Sequence, residues 1–280
     1  MGKFAWASDI HLDHLRSDDD VIRFCENVEN SNCSGLFITG DISSGKKLLY
    51  HLALLEKNLK LPKYFVLGNH DFWYAKISDL RKQVKDFCDQ SEFLKYMTTS
   101  TYVSLSKDTA VLGHDGWYDG KFGDALNSSF IMNDWVLTEE FLMSSGGYKY
   151  VSTTQSIKDK AGLIAVCERL AHDSVMHVSK QIKDAVKYHK EIIVLTHFPC
   201  FKESHMYRGK IGDDNAQPWY TSKIMGETLL NAAHTYKNCK FTVLSGHTHG
   251  FFRGNILPNL EVIVSEAMYG SPFYHLLDVK

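Results

Sequence analysis

Five short stretches hold the side chains best suited to chemistry. They are Asp9-Ile10-His11, Gly40-Asp41, Gly68-Asn69-His70-Asp71, Thr196-His197-Phe198-Pro199 and Gly246-His247-Thr248-His249. Taken singly they are weak signals, since a D-x-H or a Gly-Asp is usually a turn or a satisfied polar contact. G-N-H-D and G-H-T-H are much rarer by composition, and both occur here. Divalent metals with mixed nitrogen and oxygen shells need imidazoles and carboxylates arriving from separate elements. Asp9, His11, Asp41, Asn69, His197, His247 and His249 can fill two such sets with one Asp shared between them. Two ions with two carboxylates and a bridging hydroxide make a weakly cationic pocket, which suits a phosphoryl group. Two metals roughly 3.5–4 Å apart can activate water and clamp the phosphoryl oxygens of an in-line displacement.

Each stretch follows a short apolar run that reads as a strand, over residues 3–8, 35–39, 64–67, 192–196 and 241–245. Helical patterns separate the first three strands. One opens at Ser17, a capping hydroxyl followed by Asp18, Asp19 and Asp20 on the positive end of the dipole, and runs to about Asn30. The next, over 46–59, places Leu48, Leu49, Leu52, Leu55 and Leu59 on one face, and a third covers 77–88. This alternation marks parallel β-α-β units. Ligand sites in open α/β sheets lie off the carboxyl ends of strands, where all five stretches sit. Further on, 222–236 reads as a helix, 260–265 and 274–279 as closing strands, and 101–105 with 109–112 as a hairpin. From about 118 to 190 the rhythm breaks. This region and its edge carry Trp117, Tyr118, Phe122, Phe130, Trp135 and Phe141, then a helical pattern over about 157–189. The expectation is one domain over 1–280, with 118–190 as a partly helical insertion or cap.

Composition narrows the class. With 44% hydrophobic and 23% charged residues the chain is neither disordered nor a coiled coil. Its 31 Lys plus Arg against 33 Asp plus Glu leave a net charge of −2, so nucleic acid is a disfavoured partner. No apolar run nears the roughly 20 residues of a membrane helix, so no membrane association is expected. The N-terminus has no secretory apolar region. The six cysteines lack C-x-x-C spacing, and reduced thiols in the cytoplasm are expected.

At the five stretches, in order from Asp9 to His249, the chain resembles the calcineurin-like metallophosphoesterase superfamily. The resemblance implies a four-layer αββα sandwich, an α/β fold in which two mixed β-sheets are flanked by helices. It implies one divalent ion on Asp9, His11, Asp41 and His249, and a second on Asp41, Asn69, His197 and His247, with Asp41 bridging. His70 would stay off the metals, contact the scissile phosphate and assist the leaving group, with Asp71 orienting its imidazole. The residue reading agrees on His70. Adjacent Asn69 and His70 cannot easily face one ion, and an unligated imidazole near a leaving oxygen is a natural general acid.

Departures narrow the subfamily. Gly40-Asp41-Ile42-Ser43-Ser44-Gly45 lacks the Arg of the phosphoprotein phosphatases, and Asp71 replaces their Glu. Ser44 stands where purple acid phosphatases carry Tyr, and His70 where the lipid-A-pathway pyrophosphohydrolases carry Arg. What remains resembles the G-N-H-D group, which includes phosphodiesterases and nucleases. Manganese or iron is the expected metal, with zinc the next choice.

The expected function is hydrolysis of a small phosphate ester, monoester or diester, through a metal-bridging hydroxide. A DNA or RNA nuclease of the same superfamily is the alternative enzyme, against which the charge balance weighs. A non-catalytic metal-binding interaction scaffold is the other alternative, against which His70 and the full donor set weigh. Arg16, His114, Tyr207 and Arg208 are the candidate substrate contacts, each competing with an ordinary surface or turn reading. The aromatics of the 118–190 region read as core before platform.

Overall fold

The computed structural model describes residues 2–144 and 160–280. In chain order the strands are β1 (Gly2–Ala7), β2 (Leu36–Thr39), β3 (Lys63–Val66), β4 (Leu94–Tyr96), β5 (Val103–Ser104), β6 (Thr109–Gly113), β7 (Glu191–Leu195), β8 (Met206–Tyr207), β9 (Lys210–Ile211), β10 (Lys240–Ser245), β11 (Phe252–Leu257), β12 (Leu260–Val264) and β13 (His275–Val279). The helices are α1 (Asp18–Asn30), α2 (Leu48–Asn58), α3 (Ile77–Cys88), α4 (Asp134–Leu137), α5 (Glu139–Ser144), α6 (Lys160–Ala185), α7 (Gln217–Tyr220) and α8 (Lys223–Thr235).

One sheet runs β13-β1-β2-β3-β4 and the other β11-β12-β10-β7-β6-β5. In each the inner strands are parallel, while β13, β11 and β5 pair antiparallel at edges. Strand alternation sorts the side chains into three cores. Phe4, Trp6, Phe37, Tyr64 and Val66 of the first sheet meet Val111, Ile193, Leu195, Leu244 and Ile263 of the second. The opposite faces, with Ala5, Ile38 and Phe65 on one side and Leu112, Val194 and Val243 on the other, pack under helices. The result is a helix–sheet–sheet–helix sandwich of two mixed sheets. Burial on both faces explains why its strands read as continuous apolar runs.

Three features were not legible as elements. Strand β4 has three residues, β11 is a half-exposed edge, and the β8–β9 hairpin has two residues per arm. The 118–190 stretch divides. Residues 145–159, which include the expected start of its helix, lie outside the described residues. Its described parts are built into the body. Leu163, Cys167 and Leu170 of α6 share a core with Trp117, Tyr118, Trp135 and Phe141. Farther along the same helix, Val178, Ile182 and Ala185 cover the second sheet.

Candidate active site

Three of the five stretches leave their strands through turns that need unusual backbone. Asp9 (φ 50°), His11 (φ 37°), Asp41 (φ 49°), His247 (φ 69°) and His249 (φ 53°) all lie in the left-handed region. Non-glycine residues held there cost free energy and cluster where function over-determines them. Neighbouring turns lock one another. The Asp9 amide donates to the Gly40 carbonyl (3.0 Å), His11 to Asp41 (3.0 Å) and Gly246 to His197 (2.9 Å). The motif glycines vacate space for carboxylates. A Cβ on Gly68 would lie 2.2 Å from Asp41 Oδ1, and one on Gly246 would lie 2.0 Å from Asp9 Oδ2.

Three overlapping groups of donors result. Asp9, His11 and His249 each place a ligand atom within 4.8 Å of the others, and so do Asp41, His197 and His247; His11, Asp41 and His70 form the third set, between these two. His249 Nε2 lies 3.4 Å from Asp9 Oδ1, and His197 Nε2 lies 3.5 Å from Asp41 Oδ1. Asp41 also reaches toward the first group, with Oδ2 3.8 Å from His11 Nε2. Asn69 joins through Oδ1, 3.1 Å from His197 Nε2.

The second group is oriented from behind. His197 Nδ1 donates to the Thr39 carbonyl (2.8 Å), which leaves Nε2 facing inward. His247 Nε2 lies 3.4 Å from the Trp219 carbonyl; a carbonyl only accepts, so this nitrogen carries the proton and Nδ1 is free for a ligand. Asn69 Nδ2 donates to Asp134 Oδ1 (2.9 Å), which fixes its oxygen toward His197. Asp134 is buried and also accepts from Trp73 Nε1 (2.8 Å) and the Tyr118 hydroxyl (3.1 Å).

The profile of the calcineurin-like phosphoesterase family matches residues 2–251. The chain belongs to that family. The family is one of dinuclear-metal-dependent phosphoesterases, and this chain is by class a metal-dependent phosphoester hydrolase. Its fold is similar to that of phosphopantetheinyl hydrolase from Mycobacterium tuberculosis, with TM-score 0.61, 13% identity and 96% of this chain covering 90% of that one. It is also similar to a dimetal phosphatase from Danio rerio, with TM-score 0.58, 13% identity and coverage of 97% and 89%. At that identity the likeness is one of fold. No curated protein sequence matches the chain.

The electrostatics of these residues fit the family's paired metals. Asp9 and Asp41 are buried, and their ion-pair partners among the described residues are all histidines. Buried carboxylates without a cation are costly. Burial raises the Asp41 carboxyl, but His197 and His70 outweigh it and hold it well below the usual range. Asp9 is likewise lowered, against burial, chiefly by its bond to His249. Burial opposes a charge on His197, yet Asp41 beside it lifts the imidazole to about 10. Burial takes His11 down to about 4 and, with His197 nearby, holds His247 well below the ordinary value. His11 Nε2 and His249 Nε2 face each other at 3.3 Å. Opposed nitrogen donors beside two buried carboxylates are what a divalent cation would satisfy.

The remaining expected residues separate. His70 is partly exposed, stacks on Trp73 with ring centroids 3.5 Å apart, and places Nε2 3.9 Å from Asp41 Oδ2. Asp71 does not orient it. Its carboxylate accepts from the amides of Gly68 (2.8 Å) and Ser43 (2.8 Å), tying two motif turns together. His114 does not line the site. It is buried against His177, with its Nδ1 accepting from the Gly116 amide. The chain turns inward there because Asp115 is a hub for Arg81, Tyr96, Thr98 and the Leu67 amide. Arg16 is exposed and lies outside the cavity wall. Tyr207 and Arg208 do line the cavity that contains Asp41, Asn69 and His70. Asp134, Trp73, Tyr220 and Tyr269 also line it and were not anticipated. Trp73 was findable, three residues after His70 in a 3-10 turn. Asp134 lies 65 residues from Asn69 and gave no signal.

Proposed function

We propose that the enzyme hydrolyses a small phosphate ester bound beside Asp41, with His70 protonating the leaving oxygen. The observation that carries this reading is the convergence of donor groups on Asp41, with the His70 imidazole facing the same cavity 3.9 Å from that carboxylate. Asp9, His11, Asp41 and His249 would hold one divalent ion, and Asp41, Asn69, His197 and His247 the other. When bound, the pair would activate water and neutralise phosphoryl oxygens. The mixed nitrogen and oxygen donors favour manganese or iron, then zinc.

His70 suits its role by position. Trp73 fixes its ring plane, the Asp134 carboxylate fixes Trp73, and the imidazole edge stays open to the cavity. Arg208 would add charge to a bound anion from the hairpin tip. Among the described residues no helix is long and apolar enough to cross a membrane. All six cysteines are free thiols, which supports a reducing compartment such as the cytoplasm.

The test is hydrolysis of p-nitrophenyl phosphate beside bis-p-nitrophenyl phosphate with added Mn²⁺. Turnover of one, lost in Asp41→Asn with the fold retained, is the expected result, and the faster substrate sets the ester class. Turnover that survives Asp41→Asn would overturn the reading. A metal-loaded protein that cleaves neither would be the interaction scaffold, and one that cleaves only DNA or RNA the nuclease.

A further inference from the structure

A phosphoryl group fills little of the space that opens over the donors. The cavity measures about 1080 Å³, at the upper end of what drug-sized ligands occupy. Residues 130–134 and the β8–β9 hairpin both form part of its wall. These walls and the lip beside His249 present large apolar side chains to solvent. Ile131 is 43% exposed, Tyr207 56%, Ile211 53% and Tyr269 48%, and all four line this cavity. Single exposed apolar residues are ordinary, but convergence on the mouth of a reactive cavity marks a binding surface.

The hairpin wall is braced. Its turn has Arg208 (φ 49°) and Gly209 (φ 75°) both left-handed, the tight two-residue hairpin connection. At its base Gly212 donates to the His205 carbonyl (2.9 Å), and Gln217 Nε2 donates to the carbonyls of Lys202 (3.0 Å) and Gly212 (2.9 Å). Beside His249, a Cβ on Gly250 would lie 2.1 Å from the Met206 carbonyl oxygen, so the hairpin packs on the donor turn itself. An apolar wall held in place loses little entropy when a ligand covers it.

We propose that the alcohol portion of the substrate is large and apolar, and lies between Ile131 and Ile211 with its phosphoryl group at the donors. The proposal rests on the phosphoesterase reading and names the substrate class of the same site. A small polar alcohol would leave these side chains in water and most of the cavity unfilled.

The test compares ethyl phosphate with 3-phenylpropyl phosphate, or their methyl diesters if diesters turn over faster. Both leave as primary alcohols, so a difference reports on the body of the alcohol. The expected result is a kcat/KM at least about tenfold higher for the phenylpropyl ester. In the double variant Ile131→Ser, Ile211→Ser that ratio falls toward one. Equal kcat/KM values, or glycerol phosphate outpacing both, would overturn the proposal. A binding arm keeps it separate from the reaction. Calorimetry on the Mn²⁺-loaded protein with ethylphosphonate and 3-phenylpropylphosphonate should show the same preference. Phosphonate preference without turnover of any ester would sink the phosphoesterase reading and leave the apolar cleft standing. Equal phosphonate affinities would sink the cleft.

Discussion

The two donor groups differ in what stands behind them. In the Asp41 group every partner is buried, and His197, His247 and Asn69 each commit their outer polar atom to a fixed acceptor: Thr39, Trp219 and Asp134. In the Asp9 group, His249 has a side chain 24% exposed, and His11 Nδ1 has no hydrogen-bond partner among the described residues. The rings of His11 and His249 instead lie against Tyr269 at the lip of the cavity. In the Asp9 group only the carboxylate is held from behind, by the Ser8 hydroxyl (2.6 Å) and the His247 amide (3.0 Å), so an ion would have more left to orient there. Partners behind a ligand raise metal affinity by fixing its orientation. Dialysis against a chelator should therefore remove metal in two stages, with about one equivalent retained late. Loss of both together would break the comparison.

Asp41 is where the groups meet, so its replacement should have the largest effect. Asp41→Asn removes a charge from both sets at once. A fall in kcat of at least about 10³-fold is expected, by analogy with the loss of a main electrostatic group in other enzymes. Circular dichroism and the melting transition should show a folded protein. A smaller loss, near that of a peripheral ligand, would mean that one group alone sustains the reaction.

His70→Ala comes next, because it removes proton transfer and leaves both donor groups in place. The expected loss is about 10²–10⁴-fold in kcat for an alkyl ester, in the range of general acid catalysis. It should be much smaller for p-nitrophenolate, which leaves without a proton. Metal content by elemental analysis should not change. A loss of bound metal in His70→Ala would assign the imidazole to an ion, since it also stands within reach of His11 and Asp41.

Asp134 separates the groups most directly. It supports Asn69 alone among the donors, so Asp134→Ala should weaken one ion by roughly 10–100-fold and spare the other. Calorimetric titration of the metal-free protein reads both affinities. Equal weakening of the two sites would show that Asp134 acts on the fold as a whole. In that case, Asp134→Asn would restore neither site.

What could be read from the sequence follows the same division. The donors themselves were legible because they lie at strand ends, where Gly68 and Gly246 mark close approach and apolar runs mark the strands. The sandwich was legible only through the family resemblance those donors carry, since alternating strands and helices do not by themselves say that two sheets stack. The supports were not legible. Asp134 at the start of α4, Trp219 in the four-residue α7 and Tyr269 are brought to the site by chain paths that no local pattern sets. His114 misled because it follows a strand at the right end of a sheet, yet the Asp115 hub draws the chain into the core.

The smallest expected effect tests the reassigned Asp71. Sequence placed it behind His70, but its carboxylate joins the turn after β3 to the turn after β2 through two backbone amides. Burial, with the Asp41 charge beside it, raises its carboxyl well above the usual range, while the amide bonds oppose that rise. Asp71→Asn exchanges one acceptor oxygen for a donor that faces an amide N–H. A buried unmatched donor costs about 1–3 kcal/mol, so the melting temperature should fall by several degrees. The imidazole has no contact with this carboxylate to lose, so the pH profile of kcat should keep its shape. A profile displaced by a full unit, at unchanged stability, would return Asp71 to His70. The expected loss is one of turn geometry, shared by Asp41 and Asn69, and would read as a modest weakening of metal binding at both donor groups.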